Sequence, residues 1–204
     1  MSSKFWGQLE LLWLRDSLRS FDLSKNAFKI VPILIPSFTQ LKTLYLSNCN
    51  LQSISTDLRS LTNLQHLDLS YNDLEIDTLT LLPISITKLN LSHNHFSAIP
   101  PILSSLIILT DLDLSYNRIE NMLNIGQNTT LTILNLNNNM IVEVSLDTIY
   151  LKNLIKLSLC YSNISKSSIS YTGQSIPAEL FSIPTLDVID LTGKIFIICI
   201  YKHV

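Results

Sequence analysis

The chain has 204 residues, of which 47% are hydrophobic and 15% charged, with a formal net charge of −2. That is enough apolar material to bury a sizeable core in one elongated domain, and the balance leaves no basic footprint for nucleic acid. The three cysteines, Cys49, Cys160 and Cys199, lie far apart without paired spacing, which favours a reducing compartment.

In the first seventeen residues, Phe5, Trp6, Leu9, Leu12 and Trp13 fall on one helical face, so residues 1–17 are predicted as an N-terminal cap built on a short amphipathic helix. Gln8, Glu10, Arg15 and Asp16 interrupt the apolar run and make it a poor secretory leader.

From Leu18 a single frame recurs, apolar at positions one, four, six and eleven with Asn at nine. Leu109, Leu112, Leu114, Asn117 and Ile119 show it most plainly. Four further copies are complete, starting at Leu18, Leu64, Ile86 and Leu131. Those starting at Leu41 and Leu154 carry Cys49 and Ser162 in place of Asn, and an eighth at Leu186 carries Lys194. Successive copies advance by 22 or 23 residues up to Leu154, then by 32. Apolar residues two apart, such as Leu67 and Leu69, read as a short strand with one face inward. No copy could bury that face alone, so neighbours must stack as a parallel sheet.

This frame resembles the leucine-rich repeat family over residues 18–196. The resemblance implies an α/β solenoid, a horseshoe with a parallel concave sheet and short helical or 3₁₀ turns on the convex side. Seven repeats are expected over 18–164, a longer convex connection over 165–185, and a partial last repeat with an atypical apolar tail over 186–204. Asn26, Cys49, Asn72, Asn94, Asn117, Asn139 and Ser162 are expected to form an inward ladder bonding the backbones of successive coils. Val31-Pro32 and Ile99-Pro100 occupy matching places. They resemble the intracellular typical class found in Ras-pathway scaffolds, fungal adenylate cyclases and other signalling proteins. Leu58 and Leu61 continue the inward pattern at helical spacing.

Positions three, five, seven and eight are predicted to face the concave side. At about 4.7–4.9 Å per strand, eight copies give a strip of about 35 Å, suited to a protein surface or an extended peptide. Tyr45, His66, Asp68, Tyr71, Lys88, Asn90, His93, Asp111, Asp113 and Tyr116 are the candidate binding residues. The aromatic rings supply contact area and the charges supply orientation, and Lys88 is expected beside Asp111. The competing reading of these residues is support of the sheet itself.

Catalytic and metal chemistry find no footing. His66, Asp68 and His93 lack zinc-ligand spacing, Cys160 has no histidine at a predictable distance, and four scattered glycines cannot cradle phosphate. No catalytic residue, cofactor or metal is expected. The longest candidate for a membrane span, Ile195–Tyr201, has seven residues where about 18 are needed.

The function expected from these residues is a non-catalytic scaffold or adaptor that binds another protein on its concave face, cytoplasmic, and a monomer unless its C-terminal edge pairs. One alternative is the targeting segment of a larger signalling enzyme, such as a protein phosphatase, kinase or adenylate cyclase. Another is a secreted recognition module, which glycan on the sequon residues Asn128 or Asn163 would mark. The polar stretch 165–174 and the β-prone tail 194–204 break the rhythm. The expectation from the tail is a shortened or mis-ended member of a larger architecture, its regular sequence lost near Gly193.

Overall fold

The computed structural model describes residues 12–123, 125–162, 176 and 178–192. Eight three-residue strands form one parallel sheet in sequence order: β1 (Ser20–Asp22), β2 (Thr43–Tyr45), β3 (His66–Asp68), β4 (Lys88–Asn90), β5 (Asp111–Asp113), β6 (Ile133–Asn135), β7 (Lys156–Ser158) and β8 (Val188–Asp190). The register follows the repeat frame. Leu44, Leu67, Leu89, Leu112, Leu134 and Leu157 stand side by side across six strands. The solenoid expected from the sequence is the fold observed.

Each of β1 to β7 is followed by a convex segment, and all but the one after β2 contain a short 3₁₀ turn. The turns after β1 to β7 are Ile35–Ser37, Ile76–Thr78, Pro101–Ser105, Ile125–Gln127, Leu146–Tyr150 and Ala178–Ser182. Pro100 precedes one of them in extended geometry, its fixed φ suiting the entry to the turn. The coil that begins at Leu41 differs. There Ile54 pairs with Leu79 as a parallel bridge, and Leu58 N–H reaches Leu81 O at 3.1 Å, so Leu58 and Leu61 are buried without helical backbone.

The core is a continuous column of frame positions one, four, six and eleven. Leu41, Leu44, Leu46 and Leu51 are fully buried, as are their counterparts through Leu159. In the coils at either end, Leu18, Phe21, Leu23 and Phe28, and Leu186, Ile189 and Leu191, are only partly buried, because each packs against a neighbouring described coil on one side. Each fully buried leucine contributes about 1.5–3 kcal/mol relative to exposure. Of the expected N-terminal cap, Leu12–Leu14 forms a 3₁₀ turn and Leu14 packs against the core. Residues 1–11 of that cap, the 165–174 loop and the 194–204 tail lie outside the described residues.

Between coils, polar ladders hold the stack. Asn72 Oδ1 accepts from the N–H groups of Cys49 (3.0 Å) and Leu51 (2.9 Å), while its Nδ2 donates to Leu46 O (2.9 Å) and Leu69 O (3.0 Å). Asn94, Asn117 and Asn139 repeat the pattern, each accepting from the position-eleven N–H of the coil before. Cys49 substitutes by donating its thiol to Leu23 O at 3.2 Å, the same inter-coil carbonyl an Asn would reach. Ser162 bonds Leu159 O of its own coil. Asn26 is exposed and bonds within its own coil.

A second ladder, not anticipated from the sequence, runs where each convex segment returns to its strand. Ser85, Thr130 and Thr185 each donate a hydroxyl to carbonyls of the preceding coil, and Asn63 and Asn153 do so with their amides.

Candidate functional site

On the concave face, columns three and five line an open groove of about 450 Å³. Tyr45, His66, Asp68, Lys88, Asn90, Asp111 and Asp113 all border it, joined by Ile133, Asn135, Lys156, Ser158 and Asp190. Residues two apart on a strand share a face, and the unbroken register carries that face across all eight strands. Lys88 Nζ lies 3.7 Å from Asp111 Oδ1 across β4 and β5, and Asp111 Oδ2 accepts from the Thr110 hydroxyl at 2.7 Å.

Column five has a backbone duty that the residue types alone did not disclose. Asp22, Asp68, Asn90, Asp113, Asn135 and Asp190 each accept, through Oδ1, the N–H two residues on, at 2.8–3.2 Å. These are Asx turns that close the strand and start the ascending bend. Asp and Asn alternate there because both supply that oxygen. At Asp113 the second oxygen takes Asn135 Nδ2 at 2.9 Å, whereas Asp68 Oδ2 carries no hydrogen bond among the described residues. The Cys160 thiol and then Thr192 hold the Asp190 carboxyl low, at about 2.

Tyr71, His93 and Tyr116 do not line the groove. They form a separate stack of three rings, with centroids 3.9 Å apart between Tyr71 and His93 and 4.1 Å between His93 and Tyr116, nearly parallel at 11° and 10°. All three sit at φ of 53–54°, in the left-handed region, a conformation costing a non-glycine residue roughly 1–2 kcal/mol. The bend keeps its inter-coil hydrogen bonds, Tyr71 N–H to Ser92 O at 3.0 Å and His93 N–H to Ser115 O at 2.9 Å, and ring stacking adds to them. The outer rings remain about half exposed, Tyr71 at 55% and Tyr116 at 51%. Partial desolvation between them lowers the His93 pKa, opposed by the nearby Asp113 charge.

Position seven corrects the sequence reading. Ser70, Ser92 and Ser115 are buried rather than displayed, at the bend where the next residue takes left-handed backbone; Asn137, longer and in the same column, is half-buried and still borders the groove. Ser70 Oγ donates to Ser47 Oγ at 2.9 Å. Cys160, also at position seven, is 5% exposed, and burial raises its thiol pKa.

The sequon Asn128 is 1% exposed and its Nδ2 donates to Leu103 O. In the folded chain that nitrogen cannot carry a glycan, so Asn128 does not discriminate a secreted protein as expected. Among the described residues no three His, Cys, Asp or Glu side chains gather as metal ligands would, and no helix there is long and apolar enough to cross a membrane.

Comparison with known families and structures agrees with this geometry. Residues 39–81 match the family described as Leucine Rich repeats (2 copies), residues 85–106 the Leucine Rich Repeat, and residues 107–121 a further Leucine Rich repeat. These matches span residues 39–121, and the same frame and register continue through the eight strands, so the chain carries leucine-rich repeats. Among solved structures it is similar to the ectodomain of the Arabidopsis receptor kinase HAESA, in complex with an N-terminally extended form of the IDA peptide hormone. That likeness has 26% identity and a TM-score of 0.64, covering 86% of this chain and 30% of the other. It is similar also to internalin C2 of Listeria monocytogenes, at 23% identity and a TM-score of 0.54 over 89% of this chain and 66% of that one. A Leptospira interrogans leucine-rich repeat protein gives 23% identity and 0.58, over 89% and 50%. The chain spans less than two thirds of the length of each of these proteins. No curated protein sequence matches it.

Proposed function

We propose that this chain is a non-catalytic scaffold or adaptor that binds another protein, as an extended segment, in its concave groove. The observation that carries this is the unbroken register from β1 to β8. It sets charged, polar and tyrosyl side chains in fixed rows along an open surface, so little ordering cost falls on this partner at association. The peptide ligand in the HAESA complex lends support by analogy of fold.

Photo-crosslinking tests it. A benzophenone amino acid placed at Ile133 or Lys156, both on the groove, yields a defined partner adduct in extracts. The same group at Ser104 or Glu143, exposed away from the strands, does not. Adducts confined to the latter pair contradict the proposal.

A cytoplasmic, signalling role is the setting we infer. Its support is Cys49, whose ladder bond requires a protonated thiol and whose pKa burial raises, a role suited to a reducing compartment. Thiol trapping in intact cells that finds Cys49 oxidised contradicts this setting.

A further inference from the structure

The groove is not uniform along its length, and that asymmetry specifies its occupant more narrowly. Columns three and five carry five carboxylates, Asp22, Asp68, Asp111, Asp113 and Asp190, against two ammonium groups, Lys88 and Lys156. The strip therefore has a balance of −3, whereas the whole chain has −2. The negative charge of the molecule is concentrated here.

Within the strip, β3 to β5 carry charge without exposed apolar side chains, while β6 to β8 set exposed apolar side chains beside Lys156 and Asp190. Lys88 is already answered by Asp111. No cation lies within ion-pair distance of Asp68 or Asp113 among the described residues, and both border the groove. Farther along, column three presents Ile133 and Val188, residues 39% and 40% exposed, on either side of Lys156. Apolar side chains at those places do nothing for the core, which the column-four leucines already fill.

We infer that the groove takes an extended peptide segment carrying two basic side chains three residues apart, followed along the groove by apolar side chains. This inference rests on the concave-face reading above and deepens it. The spacing follows from the fold. Asp68 on β3 and Asp113 on β5 are two strands apart, about 9.6 Å, and three residues of extended or polyproline chain advance about 9–10 Å. From β5 the apolar pair on β6 and β8 begins one strand on and spans a further two. The whole reach from β3 to β8 is about 24 Å, the length of about eight extended residues.

The structure also supplies a clean variant. Asn occupies the column-five position at Asn90 and Asn135 and makes the same Asx turn there. Asp68→Asn and Asp113→Asn therefore remove charge while retaining the backbone cap.

The test is fluorescence anisotropy with the full chain and a labelled probe, Arg-Ser-Pro-Arg-Ser-Leu-Ser-Pro-Leu-Ser, in both this and the reversed order. Controls replace both arginines by glutamate, or both leucines by serine. One order of the parent probe is expected to saturate at tens of micromolar. The glutamate control should bind at least tenfold more weakly and the serine control at least threefold. The D68N/D113N double variant should lose at least tenfold in affinity; D68N alone, at a carboxylate whose second oxygen holds no hydrogen bond among the described residues, should weaken binding with an unchanged melting temperature, whereas D113N also gives up the Asn135 bond.

The inference is overturned if neither order binds, if the glutamate control binds as well as the parent, or if D68N/D113N leaves affinity intact. A partner that still crosslinks at Ile133 and Lys156 in any of those cases would preserve the concave-face reading while removing its basic-segment form.

Discussion

Asn72 shows how one side chain can hold two coils. Replacing it by Ala leaves the Cys49 and Leu51 N–H groups without their acceptor, and each buried orphan costs about 1–3 kcal/mol. Asn72→Ala is therefore expected to destabilise the protein by about 2–4 kcal/mol in urea unfolding. Asn26→Ala, which removes bonds within a single exposed coil, should cost about 0.5 kcal/mol. Equal losses at the two positions would contradict the ladder account. His93 supplies a pH prediction. Its folded pKa lies below the ordinary value of 6.5, chiefly through desolvation between the tyrosines. The unfolded chain therefore takes up the proton more readily. The stabilisation is fully present above pH 6.5 and is lost as pH falls through the folded value. Imidazole NMR should show His93 titrating below 6.5, and Asp113→Asn, by removing the charge that opposes the shift, should move it lower still. An upward movement in that variant would show that the Asp113 charge does not oppose the shift, and wild-type His93 titrating at or above 6.5 would show that the stack is not desolvating the ring.

At the scale of the element, Gly126 marks where two convex turns touch. A Cβ there would lie 2.5 Å from Asp147 O and 3.1 Å from the Tyr150 ring, so the turns Ile125–Gln127 and Leu146–Tyr150 could not keep their approach. Gly126→Ala is expected to cost about 1–3 kcal/mol as an overpacking change, read as a lowered urea midpoint. A wild-type midpoint would mean that the turns are not packed as described. Strand position and register were legible in the sequence because frame positions one, four and six bury as a unit: Leu109, Leu112 and Leu114 declare both the strand and its inward face. The groove columns were legible for the same reason, since His66, Asp68, Lys88 and Asp111 alternate with those leucines. What alternation misplaced lies beyond the third strand residue. There Ser70, Ser92 and Ser115 turn inward and Tyr71, His93 and Tyr116 adopt left-handed backbone, so period-two reasoning no longer holds. Asn48 and Asn138, tolerant of that conformation and found in the same column, were the signal available for it. The Asx turns had one too, the alternation of Asp with Asn at position five.

Across the whole molecule, one sheet separates two kinds of exposed apolar surface. Ile133 is exposed on the groove and Val188 in the same column on the last strand, whereas Ile84 and Ile107 are exposed in the segments returning to the strands. These isoleucine and valine methyl groups report separately on the two faces of the same fold. The central claim is that association occurs in the concave groove, and methyl NMR of the isoleucine- and valine-labelled full chain, titrated with the crosslinked partner once isolated, tests it most directly. The account predicts that the Ile133 and Val188 methyl resonances shift and saturate together while Ile84 and Ile107 stay in place. Saturable shifts at Ile84 and Ile107 with Ile133 and Val188 unmoved would contradict it.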